Sequence, residues 1–194
     1  MKQSYSVTRA KTTWKPRVIE EDLPLFFCRH CNTVFAGIAS SDSATYIGTG
    51  RSPLFLPPYL SSQKPQCCGF DMAMSTYIKP DDLPKSISLD YLFIGGQNNS
   101  SLKILWSIFH DKHRIEWILL KTFTGMQVKY IQPGKRSPIV FAFADEDAYA
   151  YCDKDPCEEC VFRCKRGFVA YVSVTHLGVV RMPLDRMSVI GSSS

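Results

Sequence analysis

Eight cysteines constrain this 194-residue chain more than any other feature, because they fall into two groups of four with the spacing of metal sites. The first group pairs Cys28 and Cys31, in FFCRHCNTVF, with the adjacent Cys67 and Cys68, in PQCCGFDM. The second group lies within CDKDPCEECVFRC and consists of Cys152, Cys157, Cys160 and Cys164. Four thiolates complete a tetrahedral shell around zinc or iron. The sequence therefore predicts two closed metal sites and leaves no cysteine over as a free nucleophile.

The composition indicates that these cysteines bind metal and do not form disulfides. The N-terminus, MKQSYSVTRAKTTWKPR, lacks the apolar core of a signal peptide, and no run of eighteen apolar residues could span a membrane. We therefore expect an intracellular protein, in the cytoplasm or nucleus, where reduced clustered cysteines are usually metal ligands. Disulfides remain the alternative if the chain is exported by an unusual route.

Charge and composition divide the chain into three predicted parts. Residues 1–20 form a flexible basic arm, with five lysines and arginines before the first acid at Glu20. Such an arm could contact nucleic acid or an acidic partner, although a solvated terminus is the simpler interpretation. Residues 21–79 form a four-cysteine metal-binding module. Residues 80–194 form a β-rich domain that carries the second cysteine group in a loop at 152–164.

The hydrophobic pattern predicts an α+β, β-rich fold: a small rubredoxin-like or zinc-ribbon module beside a mixed β-sheet domain with at least one helix. ISLDYLFI (87–94) alternates as a strand does. Ser100 or Ser101 could cap a helix with apolar positions at Leu102, Leu105, Trp106 and Phe109.

The later segments are mostly strand-like. RIEWILLKTF suits either a helix or a strand, and MQVKYI with PIVFAFA is typical of a hairpin around the turn-rich QPGKRS. GFVAYVSVT and GVVRMPL predict two further strands after the second cysteine group.

The first cysteine group resembles desulforedoxin and the N-terminal domain of desulfoferrodoxin. Those rubredoxin-like folds bind iron through C-x2-C and a later Cys-Cys pair followed by Gly and then Met. The matching positions are Cys28, Cys31, Cys67, Cys68, Gly69 and Met72. The resemblance covers about residues 25–75 and implies a small β-rich fold around one tetrathiolate centre, which accepts iron or zinc. Asn32 stands where the first pair usually has glycine, and asparagine tolerates the left-handed conformation better than most residues.

Two other metal patterns remain open. The β-tent modules (Yippee, Mis18 and cereblon types) also join two distant cysteine pairs with one zinc, but their second pair is C-x2-C, which the adjacent Cys67 and Cys68 do not match. The second group, C-x4-C-x2-C-x3-C, is compact enough for a zinc loop and shares part of its spacing with iron–sulfur ligand runs. Zinc is the favoured ion at both sites, with iron possible at the first.

Three functions follow from these features. The first is a non-enzymatic zinc protein whose two structural sites shape a scaffold for a macromolecule, with protein favoured over nucleic acid. The second is an iron-thiolate redox or electron-transfer protein. The third is a hydrolase or nuclease using His110, His113 and nearby acids, although HDKH is also typical of a polar turn. The oligomeric state has no signature in the sequence.

Overall fold

The computed structural model describes residues 22–37, 64–95, 100–109, 112–122, 125–148, 165 and 167–184. Within these ranges the chain forms strands and two short helical segments, a 3-10 turn at Pro80–Asp82 and one α-helical turn, α1, at Asp145–Ala148. In chain order the strands are β1 (Leu25–Phe27), β2 (Val34–Ala36), β3 (Gln66–Cys67), β4 (Phe70–Asp71), β5 (Ala73–Met74), β6 (Tyr77–Ile78), β7 (Ile87–Ile94), β8 (Ser101–Ile108), β9 (Ile115–Lys121), β10 (Met126–Tyr130), β11 (Ile139–Ala142), β12 (Val169–Val174) and β13 (Gly178–Pro183).

The larger part of the described chain is a β-sandwich. One sheet has the order β10-β9-β12-β13-β6 and the other has the order β11-β8-β7. All neighbouring strands in them are antiparallel except β13 and β6, which run parallel. The main core contains buried side chains from both sheets, including Phe93, Ile104, Leu120, Phe141 and Val172. Packing of two apolar sheet faces is the usual way in which such strands leave water.

Strand β12 is buried along its whole length because both of its faces are covered. Val172 points into the sandwich core. Val169 and Tyr171, on the alternate face, pack in a second cluster with Leu23 and Leu25 from the start of the cysteine-bearing segment. The first cysteine segment therefore sits against the outer face of the five-stranded sheet.

Polar contacts reinforce this packing at the entry to β1. The buried backbone N–H of Leu23 donates to the hydroxyl of Tyr171 over 2.8 Å. The Tyr77 hydroxyl donates to the Leu23 carbonyl, and the rings of Tyr77 and Tyr171 lie 5.0 Å apart between centroids. Arg181 on β13 forms an ion pair with Asp22. We refer to these five residues as the tyrosine clasp, which ties the strand leading to Cys28 to the sandwich.

The predicted α+β class, with at least one helix, is wrong. In the described ranges the fold is nearly all β, and its helical content is limited to α1 and the 3-10 turn. The expected helix beginning at Ser100 or Ser101 is strand β8. Leu102 and Ile104 are fully buried, while Lys103 between them is not. That alternation is the period of a strand, and pairing with β7 on one side and β11 on the other fixes it.

Other predicted segments have mixed outcomes. The strand at 87–94 is confirmed as β7, and GFVAYVSVT and GVVRMPL are confirmed as the paired strands β12 and β13. The ambiguous RIEWILLKTF contributes β9. MQVKYI and PIVFAFA do contain strands, β10 and β11, but the predicted hairpin is wrong because β10 pairs with β9 and β11 pairs with β8. The two strands therefore belong to different sheets of the sandwich.

Candidate metal centre

The structure brings together the four cysteines of the first predicted group. One Sγ atom from each of Cys28, Cys31, Cys67 and Cys68 lies within 4.8 Å of all the others. The Sγ atoms of Cys31 and Cys67 are 3.5 Å apart, and those of Cys67 and Cys68 are 3.9 Å apart. All four are free thiols. Sulfurs around a tetrahedral zinc or iron, with metal–sulfur bonds of about 2.3 Å, stand at similar separations.

The loop between β1 and β2 positions the first pair. Phe27 pairs with Val34, so the loop spans residues 28–33, which we call the C-x2-C loop. The Cys28 N–H donates to the Thr33 carbonyl, and the Asn32 N–H donates to the Cys28 carbonyl, each over 2.9 Å. Asn32 has φ 58°, as expected for the residue in the glycine position. The left-handed asparagine turns the chain so that both sulfurs face the same side.

A tight hairpin positions the second pair. Strands β3 and β4 pair Cys67 with Phe70, which leaves Cys68 and Gly69 as a two-residue turn. Their φ values, 53° and 79°, are both positive, as a type I′ turn requires. Glycine adopts this conformation readily, but a cysteine there is strained by about 1–3 kcal/mol. A strained non-glycine residue is characteristic of a functional position, and here it directs Cys68 toward the other three sulfurs.

The four sulfurs differ in their exposure. Cys28 is buried in a small cluster with Phe26 and Met72, and Cys67 packs against that cluster. Cys31 and Cys68 are exposed. The centre therefore has a buried side, against the inside of the module, and an open side that reaches the protein surface.

Hydrogen bonds among these residues lower the pKa of Cys31 and raise the pKa values of Cys67 and Cys68. The Thr33 hydroxyl lies 3.1 Å from Cys31 Sγ, and its hydrogen bond to the thiolate is the main reason that the pKa of Cys31 is lowered to about 6. Contact with the Cys31 sulfur raises the pKa of Cys67, and the same neighbour raises the pKa of Cys68 to about 12. Without a metal the negative charge is thus favoured on Cys31 over Cys67 and Cys68. A bound cation would favour the deprotonated form of all its thiol ligands.

The donor set limits what the centre can do. Four thiolates fill all positions of a tetrahedral ion, so no site remains for a catalytic water or a substrate oxygen. Both zinc and iron accept this ligand set. The arrangement is suited to holding loops together or to electron transfer, and it is not suited to hydrolysis.

The remaining predicted site residues are placed differently. Cys152, Cys157, Cys160, Cys164 and His110 lie outside the described residues, as does the basic arm at 1–20. His113 is described, and its Nδ1 lies 2.9 Å from the Thr175 carbonyl, between the ends of β8 and β9. This placement suits the polar-turn interpretation. Among the described residues, no second group of three or more His, Cys, Asp or Glu side chains comes within ligand distance.

Sequence reasoning missed one feature of the centre. The rings of His30, in the C-x2-C loop, and Phe70, beside the hairpin turn, are stacked with centroids 4.4 Å apart and planes 19° apart. His30 is exposed. No pattern connects positions 30 and 70 in the sequence, because the contact exists only once the two cysteine pairs have met.

The described part of the chain contains no helix that is long and apolar enough to cross a membrane. No family model and no curated protein matches the sequence. Among solved structures, the chain is similar to the superoxide reductase from Treponema pallidum, with 15% sequence identity and a TM-score of 0.48. The match covers 83% of this chain and 98% of that one. At this level of similarity the match assigns neither a family nor an activity to the chain.

Proposed function

We propose that the chain binds one metal ion through Cys28, Cys31, Cys67 and Cys68, and that it carries single electrons with iron at this centre. The observation that carries the proposal is the convergence of four free thiols within 4.8 Å, two of them exposed. Convergence supports tetrahedral coordination. Exposure supports electron exchange, because a partner could approach the ligand sulfurs directly.

An iron ion held by four thiolates would supply one-electron chemistry, gaining an electron from a donor and passing it on to an acceptor. The protein's own part is to keep the ligand geometry constant in both states. The C-x2-C loop and the β3–β4 hairpin do this through backbone hydrogen bonds that do not involve the sulfurs. The Thr33 hydroxyl stabilises negative charge on Cys31, and hydrogen bonds to ligand sulfurs are one of the means by which proteins adjust potential.

A second candidate function is a structural zinc site. It is favoured by the small size of the module's own core, whose buried members are Phe26, Cys28 and Met72. Where so little apolar surface is buried, metal binding is commonly the main source of order. The scaffold role for a protein partner, expected from the sequence, would belong to this candidate and rests on the sequence alone.

The two candidates separate by metal content and colour. Full-length protein purified under reducing conditions is analysed for iron and zinc, and its visible spectrum is recorded before and after dithionite. The redox proposal expects iron, visible thiolate-to-iron absorption, and bleaching by one electron per chain that air reverses. A colourless protein with zinc, unchanged by dithionite, would instead support the structural function. Protein from iron-supplemented cells should be compared, since cells can load either ion.

A further inference from the structure

The stack of His30 and Phe70 joins the two turns that supply the ligands. His30 lies between Cys28 and Cys31, and Phe70 directly follows the Cys68–Gly69 turn. Their centroid distance of 4.4 Å and interplanar angle of 19° describe a close, nearly parallel contact. Phe70 remains 57% exposed, so burial in the core does not explain why the ring lies there.

Strand pairing ties these turns to each other only indirectly, because β5 follows β4 after Met72 and pairs with β1 at Phe27 and Ala73. The C-x2-C loop belongs to the sheet β2-β1-β5, whereas β3 and β4 form a separate two-stranded sheet. Between the turns themselves, the contacts come from side chains: Cys28 Sγ lies 3.9 Å from the Cys67 carbonyl, and Cys31 Sγ lies 3.5 Å from Cys67 Sγ. Pairing of β1 with β5 brings the hairpin close, and the final approach of the two cysteine pairs depends on side chains.

We propose that His30 and Phe70 are positioning residues of the metal centre, and that their stacked rings hold the two cysteine pairs at ligand distance before the ion binds. This inference rests on the proposed metal-binding function. The rings touch no ion and supply no ligand. The stacked rings restrict the motion of the two cysteine pairs before the ion arrives. Less conformational entropy is then lost on binding, and preorganisation of this kind increases affinity.

The expected loss of metal affinity follows from the measured energies of aromatic pairs. Such pairs contribute about 0.5–1.5 kcal/mol beyond simple burial. At tenfold per 1.4 kcal/mol, loss of the stack raises the dissociation constant for the ion about 2- to 12-fold. Because either substitution removes the same contact, the double variant should bind about as weakly as each single variant.

The first test measures zinc affinity by competition with a chromophoric chelator, on the full chain. The variants are His30→Ala, Phe70→Ala and the double variant. Zinc binding that Cys68→Ser abolishes defines the contribution of this site. The matched control is Met74→Ala, which truncates a similarly exposed apolar side chain outside both turns. His30→Phe, which restores a ring, should recover most of the affinity. Equal weakening in Met74→Ala, or single effects that multiply in the double variant, would overturn the proposal.

A second test needs no metal. In chelator-treated protein, the two-electron oxidant diamide joins two thiols as a disulfide, taking up both protons and electrons as it becomes a hydrazine. The Sγ atoms of Cys31 and Cys67 are 3.5 Å apart, so wild-type protein should form disulfides across the two turns beside any within the C-x2-C pair. Peptide mapping measures the ratio of Cys31–Cys67 disulfides to Cys28–Cys31 disulfides. This ratio should fall in Phe70→Ala and stay at the wild-type value in Met74→Ala. An unchanged ratio would contradict the proposal, even if wild-type protein bound no metal and the proposed function had failed.

Discussion

Removal of one hydroxyl, in Tyr171→Phe, should destabilise the protein measurably. The hydroxyl accepts a hydrogen bond from the backbone N–H of Leu23 over 2.8 Å, and both residues are fully buried. Phenylalanine keeps the ring packing and removes the acceptor. A buried N–H left without this partner costs about 1–3 kcal/mol. For a chain of this length, each kcal/mol lowers the melting temperature by about 2–4 °C, so we expect a fall of about 2–12 °C.

The assay is urea unfolding at pH 7, with the free energy of unfolding compared among variants at constant slope. The control is Tyr130→Phe, the same chemical change at a side chain that is 76% exposed, which should alter the free energy by less than about 0.5 kcal/mol. If Tyr171→Phe were no less stable than Tyr130→Phe, the tyrosine clasp would not hold the cysteine segment to the sandwich as described.

Three further predictions concern pH and the turns. Burial raises the pKa of Tyr77 to about 12 and also raises that of Tyr171, so both rings stay protonated in the fold at a pH where the unfolded chain ionises. The tyrosines' contribution to the free energy of unfolding should therefore be level below about pH 10 and fall between about pH 10 and 12, so the fall over this range should be less steep in Tyr77→Phe than in wild-type protein. Asn32→Ala should cost about 1 kcal/mol because of its φ of 58°, whereas Asn32→Gly should be nearly neutral in the same urea assay. Metal binding must displace the protons of Cys67 and Cys68, whose pKa values are raised, so zinc affinity should increase from pH 6.5 to 8.5, and a flat profile would argue against thiolate ligation.

The sequence predicted the site better than the fold around it. The cysteine spacing predicts that Cys28 and Cys31 share a site with Cys67 and Cys68, and the structure confirms this grouping. The prediction was possible because few residue types act as metal ligands and because Gly and Asn mark tight turns. The asymmetry of the site was not predictable. Cys28 is buried because it packs with Phe26 and Met72, and the pairing of β1 with β5 brings these residues together.

The error at β8 has a physical origin. In SLKILWSIF, apolar residues occur at both helical and strand spacings, so the local pattern was compatible with either structure. Pairing with β7 and β11 decides the outcome, and β11 lies far outside any local window. The turn-rich connector between β10 and β11 predicts a hairpin, but the two strands belong to different sheets because tertiary pairing overrides the local pattern.

If the four clustered cysteines bind one ion, loss of a single ligand should remove that ion, and elemental analysis of a matched pair of proteins measures this. Wild-type protein and Cys68→Ser are purified under the same reducing conditions, and iron plus zinc is measured per chain. The second cysteine group is intact in both proteins, so the difference reports on this centre alone. Wild-type protein should carry one more ion per chain than the variant. Equal metal content in the two proteins, with both folded, would contradict it.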